Sequence, residues 1–220
     1  MAGQARGPST RERLIAAAVD MFGRKGFDGV GARELSSSAG AALAAIPHHF
    51  GTMEALYRAA LQRVREELGA ALAPAAERAR AGLDGCPDDA RRALAQLQAD
   101  LLDVIVVRPE AETWAKLLLR EHFDPGPAFD IVYQGAALGV IELMAALIAR
   151  DTGRAAEEPR VLIEAFARMG EVLIFRTVRF AAARRLGWTT VGRDEAAMIA
   201  DVLAEAHRAK PVEHHGEKVR

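Results

Sequence analysis

The chain has 220 residues, half of them hydrophobic, and a formal charge of −1. That length suits one medium domain or a small domain joined to a larger one, and the single cysteine, Cys86, excludes an internal disulfide framework and suits a reducing compartment. No run is expected to approach the roughly 18–20 apolar residues of a membrane span, and no apolar segment backs the charges of "MAGQARGPSTRER" as a secretory signal would, so a cytoplasmic protein is expected.

Alanine, leucine, arginine and glutamate dominate, and no segment sustains a period-two alternation, which predicts an all-α fold. The first helix opens on a capping box: Ser9, with Glu12 three residues on. Leu14, Ile15, Ala18, Val19 and Phe22 share one face, and Arg24, Lys25 and then Gly26 end the helix. A short helix is predicted over about 32–39, with Leu35 and Ala39 inward, and Gly40 breaks it. The next, about 43–49, is also short. Two-turn helices do not hold themselves in water, so both must pack on the first. Helix, glycine-containing turn, helix is a helix-turn-helix arrangement.

A longer helix is predicted from Thr52, its N-cap, to about Ala73 before Pro74, followed by a loop at "RAGLDGCPDD". Further helices are predicted at about 88–106, 109–122, 126–151, 158–186 and 192–209, and the polar tail "KPVEHHGEKVR" is expected to fray. Charge is uneven along the chain. Residues 1–65 hold nine Lys/Arg against five Asp/Glu, a net of +4, and the remainder carries −5. A basic head on an acidic body points to a polyanion partner at one end, although an excess of this size is also common on ordinary surfaces.

The stretch "LIAAAVDMFGRKGFDGVGARELSSSAGAALAAIPHHFGTMEALYRAAL" resembles the DNA-binding domain of the TetR family of transcriptional regulators. Phe22, Gly26 and Phe27, Arg33-Glu34-Leu35, Ala39-Gly40 and His49-Phe50-Gly51 followed by Glu54 and Leu56 carry the likeness. "LLLREHFDPGPAFDIVYQG" and "VLIFRTVRFAAARRLGW" resemble the ligand-binding domain of CecR-like members. The resemblance implies a DNA-binding domain at 1–51 and a ligand-binding and dimerisation domain at 52–210, and the polar tail at 211–220 is expected to be disordered. It also implies a homodimer on double-stranded DNA, with a repressor's palindromic operator and release by a small-molecule effector.

By that resemblance Arg33, Ala42, Leu43, Ala44, Ala45, Pro47, His48, His49 and Thr52 face DNA. The alanines keep the helix thin enough to enter the major groove and can touch a thymine methyl, and an imidazole can donate to phosphate. Pro47 falls near the fifth position of the expected helix, where its missing N–H would cost one bond. Three residues depart from the family pattern. Gly31 and Ala42 stand where capping Ser, Thr or Asn are usual, and Met53 stands where a phosphate-contacting lysine is common. Arg6, Arg11 and Arg33 are the candidates to compensate.

Other readings stay weak. Adjacent His48 and His49 point to different faces, with no Cys, Asp or Glu at ligand spacing, so no metal is expected, and the tail pair His214-His215 carries no assigned function. No Gly-rich phosphate loop or nucleophile motif is present, Glu110 and Glu112 face different ways, and Arg120-Glu121-His122 reads more simply as a charged helix end than as an acid–base set. Neither an enzyme nor a cofactor is expected.

Most of Trp114, Phe123, Phe129, Tyr133, Met144, Phe166, Met169 and Phe175 are expected in the core. By resemblance, Trp114, Leu118, His122, Phe129, Tyr133 and Phe166 are the candidate effector set, since pockets are mostly apolar with a few orienting polar groups. The stripe Val161, Leu162, Ala165, Phe166, Met169, Val172, Leu173 and Phe175 is too wide for one buried face. With Ile199, Val202, Leu203 and Ala206 it is expected to form half of an intersubunit four-helix bundle, with Met169 and Leu173 in the contact. Arg176, Arg179, Arg184 and Arg185 add a cationic side, suited to salt bridges or to an anionic effector. The rival to the regulator is an all-α small-molecule- or partner-binding protein whose head binds DNA only weakly.

Overall fold

The computed structural model describes residues 7–123, 125–126 and 128–208, and these contain helices and no strand. Arg6 and the tail 211–220, with His214 and His215, lie outside the described residues. Helix α1 spans Thr10–Lys25, and its capping box forms as expected. The Ser9 amide donates to Glu12 Oε2 at 2.7 Å, and the Glu12 amide donates to Ser9 Oγ at 3.3 Å. Gly26 stops the helix at φ 77° and ψ 171°, its N–H donating to the Phe22 carbonyl.

Helices α2 (Ala32–Ser38), α3 (Ala45–Phe50) and the start of α4 (Met53–Arg80) close on α1 around Leu14, Phe22, Leu35, Ile46, Leu56 and Tyr57, all buried. Phe22 and Tyr57 meet edge to face with ring centroids 4.9 Å apart. Such a pair adds roughly 0.5–1.5 kcal/mol beyond its burial. The first turns of α4 thus complete the head's core, and the rest of the helix runs on into the body.

In the body, α4 does not stop at Pro74 but continues to Arg80. The proline removes one backbone bond, and Leu72, Ala75 and Ala79, buried on either side of it, hold the helix through that point. A tight turn at Ala81–Leu83 follows, then α5 (Pro87–Leu102), which widens into a single π-turn at Asp103–Val107. Helix α6 covers Glu110–Phe123.

The single helix expected at 126–151 is two, α7 (Phe129–Tyr133) and α8 (Ala136–Thr152), parted by extended Gly135. The helix expected at 158–186 also splits, into α9 (Pro159–Thr177) and α10 (Arg179–Leu186). Thr177 Oγ1 donates to the Leu173 carbonyl at 3.0 Å, a back-bond of the kind that bends helices, just before Val178 leaves helical geometry. Helix α11 spans Arg193–Arg208.

Helix α8 packs between α5, α9 and α4, burying Val140, Leu143, Met144, Leu147 and Ile148. The stretch Phe129–Thr152 overturns one expectation. With a mean hydropathy of 1.8 it is long and apolar enough by composition to cross a bilayer. Half of that window is buried in the protein, the environment of a core helix.

The stripe on α9 is divided by the fold. Val161, Ala165, Met169 and Val172 are buried within the protomer, and so is Ile199 on α11. Met169 is therefore a core residue and not an interface one, and Leu173 is partly buried against the core. What remains uncovered is Leu162, Ile163, Phe166 and Ile174 on α9 with Met198 and Val202 on α11.

Candidate nucleic-acid interface

The sequence between α2 and α3 makes a turn with little steric bulk. Gly40 takes φ 58°, a conformation L-residues rarely adopt, and nothing stands within 4 Å of where a Cβ would be, so its glycine serves the backbone angle and not the packing. Arg13 clamps the turn from α1: its Nε donates to the Ala39 carbonyl at 3.1 Å and its Nη2 to the Gly40 carbonyl at 3.4 Å, while Nη1 reaches Pro8 O at 3.2 Å. Nothing local in the sequence signals this role, because the partners lie 26 and 27 residues away.

Helix α3 begins two residues later than expected. Ala42, Leu43 and Ala44 form the turn before it, and Ala44, not Ala42, occupies the N-cap. No side chain caps it, and Gly31 likewise leaves α2 without a side-chain cap. Pro47 is then the third residue of the helix. Its missing N–H is one that the first turn leaves without an intrahelical partner in any case, so the proline costs no helical bond. Ile46 is the buried anchor of α3, at 3 % exposure. Ala42, Leu43, Ala44, Pro47, His48 and His49 are all exposed, and Ala45 is half-buried. Most of the predicted set on and before α3 is therefore uncovered.

Three of the cations near this face are paired with carboxylates. Lys25 pairs with Glu34, Arg24 with Asp20 at 2.9 Å and Arg58 with Glu54 at 3.2 Å. Arg11 lies over the Phe50 ring at 5.3 Å, and Arg33 is exposed on α2 with no ion pair among the described residues. Thr52 is exposed and caps α4, its Oγ1 accepting from the Ala55 amide at 3.0 Å. Met53 sits half-buried against the core and presents no charge.

The head meets the body mainly through α6. At Gly23 the helices α1 and α6 approach closely: a Cβ there would lie 3.2 Å from Lys116 Cβ and 3.4 Å from the Leu117 amide. Arg120 Nη2 donates to the Arg24 carbonyl at 3.4 Å. The Tyr57 hydroxyl hydrogen-bonds buried Glu121, which also accepts from the Gly126 amide at 3.2 Å. The middle residue of the Arg120-Glu121-His122 trio is thus a buried tie between α4 and α6. Its only sequence signal was a carboxylate on the apolar side of a helix.

The six candidate effector residues fall in three places. Trp114, nearly buried, donates from Nε1 to Glu67 Oε2 at 2.9 Å and borders a cleft of about 500 Å³ between α1, α4 and α6. His122, Phe129 and Tyr133 make a ring series, with centroids 6.2 and 6.0 Å apart. His122 Nδ1 lies 2.8 Å from the Leu118 carbonyl, and Tyr133 is exposed. Leu118 is partly buried against the core. Phe166 lies on the uncovered face of α9, away from both groups.

Two family models match: the bacterial regulatory proteins of the tetR family at residues 14–60, and the C-terminal domain of the HTH-type transcriptional dual regulator CecR at 90–211. CecR of Shigella flexneri is 29 % identical over 197 residues, covering 88 % of this chain and 87 % of its own. A TetR-like regulator from Rhodococcus sp. RHA1 superposes with a TM-score of 0.63 at 22 % identity, over 93 % of this chain and all of that one. AibR, solved with isovaleryl coenzyme A and operator DNA, superposes at 0.59 with 14 % identity, over 90 % and 97 % of the two chains. With the tetR match over the helix-turn-helix head and the CecR match over more than half of its length, the chain belongs to the TetR family of DNA-binding transcriptional regulators, which are not enzymes.

Proposed function

We propose that the protein is a ligand-responsive repressor that binds a palindromic operator as a homodimer and is released by a small-molecule effector. The observation that carries this reading is the uncovered face of α3 and its preceding turn. Small side chains from Ala42 to Ala45 stand where a groove wall comes close, and His48, His49, Arg33 and Thr52 surround them as phosphate and base donors. Ile163, Phe166, Ile174, Met198 and Val202 supply an apolar face for a second copy. Two heads so joined read two half-sites a whole number of helical turns apart, roughly 34–36 Å per turn. Action on an operator places the protein in the cytoplasm.

An effector needs only different affinities for the DNA-bound and free states. Helix α6, packed on α1 and tied to α4 through Glu121 and Tyr57, is the element through which a change in the body would reach the heads.

A second reading, a ligand- or partner-binding protein with a weak head, is favoured by one observation: Arg24, Lys25 and Arg58 already have an intramolecular carboxylate, and Met53 supplies no charge. Selection from random duplex separates the two. The repressor yields an enriched palindrome whose affinity falls steeply with salt. If no sequence outcompetes random duplex at low salt, the second reading takes its place.

A further inference from the structure

Among the described residues, one buried guanidinium nitrogen has no hydrogen bond. Arg176, near the end of α9, is 8 % exposed, and its Nη1 is fully buried without a hydrogen bond. Guanidinium keeps its charge in proteins, and an unpaired buried donor is costly to maintain. Burial foremost, with Arg179 close by, pushes the Arg176 pKa down, while Glu112 acts the other way.

Arg176 lines a cleft of about 180 Å³ where α9 breaks into α10, closed on the far side by the π-turn after α5 and the first turn of α6. A single water needs roughly 10–15 Å³ by the same kind of measure, so there is room for a small molecule. The polar side of the cleft has Arg176, Arg179, Arg108 and the Thr189 and Thr190 side chains. Arg108 is held by Asp103 at 3.2 Å, and Arg179 reaches Glu112 at 3.3 Å while its guanidinium lies 4.6 Å from the Phe180 ring centroid. Three arginines thus face the cleft against one lining carboxylate, Glu112. Val107, Phe180 and Val191 add apolar lining.

We propose that this cleft is an effector site for a small molecule carrying one compact oxyanion, a carboxylate or a phosphate, on a short apolar body. This deepens the repressor reading and rests on it for the word effector. The oxyanion accepts from the Arg176 guanidinium and from Arg179, and the apolar body lies along Phe180 and Val191. Taking Arg179 from Glu112 frees the first turn of α6, the helix that packs on α1 of the head. None of the six candidate effector residues lines this cleft.

The test uses the full chain and two probes, inorganic phosphate and sodium benzoate, against sodium chloride at equal ionic strength and against neutral benzamide. Binding is read by calorimetry and by the rise in melting temperature. One or both anions bind saturably, and which one does so separates the phosphate from the carboxylate. Arg176→Met, an apolar replacement of similar length that should fold, weakens that binding at least tenfold, whereas Arg154→Met on the distant α8–α9 connection leaves it unchanged.

Saturating probe then lowers operator affinity at least tenfold in the wild type and not in Arg176→Met. If neither anion exceeds chloride, or Arg176→Met binds as the wild type does, the site is refuted. Binding with no change in operator affinity overturns the effector role. A protein that selects no operator at all sinks the repressor reading instead, and the titration still decides the cleft.

Discussion

The two ends of the molecule leave opposite kinds of surface uncovered. The tip of the head exposes short side chains and imidazoles, from Ala42 to His49, over a core fastened by Phe22, Ile46 and Tyr57. The outer face of α9 and α11 exposes large apolar groups, Ile163 at 69 %, Phe166 at 55 % and Met198 at 57 %. A surface of mostly short side chains and imidazoles exposes little apolar area and loses little by facing water. A wide stripe of isoleucine, phenylalanine and methionine is unfavourable in water and seeks a like surface. On the proposed reading, the head serves an occasional, salt-sensitive partner and the α9–α11 face a permanent one.

The sharpest way to break this contrast is to charge the apolar face. Phe166→Asp combined with Val202→Asp is expected to leave the protomer folded, since both side chains already face solvent. Sedimentation should show a monomer where the wild type is a dimer. Operator affinity should then fall by roughly two orders of magnitude or more, because the second head no longer binds at a high effective concentration. A double variant that still sediments as a dimer would place the interface elsewhere.

Changing the head alone should separate the two properties. Ala44→Trp puts a bulky ring where the helix tip meets the groove. Specific binding should drop to the level of random duplex, with the dimer and the thermal melt unchanged. His49→Ala should have a smaller and less selective effect, weakening all duplexes about equally, as loss of a phosphate contact does. Operator-like affinity in Ala44→Trp would show that this face does not enter the groove.

Arg13 tests how the head holds its shape. Arg13→Met removes the donors to Ala39, Gly40 and Pro8, a part-buried carbonyl and two exposed ones that water can then reach. The cost should be about 0.5–1.5 kcal/mol in urea unfolding, with operator affinity lowered because the turn before α3 loosens. A variant as stable as the wild type would show that the clamp contributes nothing.

How much of this the sequence disclosed follows the distance over which each feature is encoded. The Ser9–Glu12 box and the Thr52 cap span three residues each and were legible as they stand. The all-α class and the helix-turn-helix came from periodicity and glycine placement. The Arg13 clamp, the Tyr57–Glu121 tie and the orphaned Arg176 each depend on partners brought together by the fold, or on their absence, and left no local trace. The division of the α9 stripe into buried and uncovered halves was equally hidden. Periodicity marks an apolar face but does not say which neighbours cover it, so Met169 read as interface when it is core.

The smallest expected effect lies at Cys86 and Asp89, where α5 starts. The Cys86 thiol donates to the Asp89 carboxylate, the Cys86 amide donates at 2.9 Å and Arg92 Nη2 lies 2.6 Å away, and these in that order bring the Asp89 pKa from an ordinary 3.8 to about 2. A carboxylate whose folded-state pKa is depressed stabilises the fold above its unfolded value, and that contribution is lost as pH falls through the folded value. Asp89→Asn keeps the shape and one acceptor but removes the charge beside the helix N-terminus. Urea midpoints of wild type and variant should therefore differ by a small constant amount above the unfolded-state pKa of 3.8, with the wild type higher, and converge as pH falls toward 2. A gap that persists undiminished at the acid end would mean that the hydrogen-bond geometry of the cap, and not the charge of Asp89, stabilises this helix start.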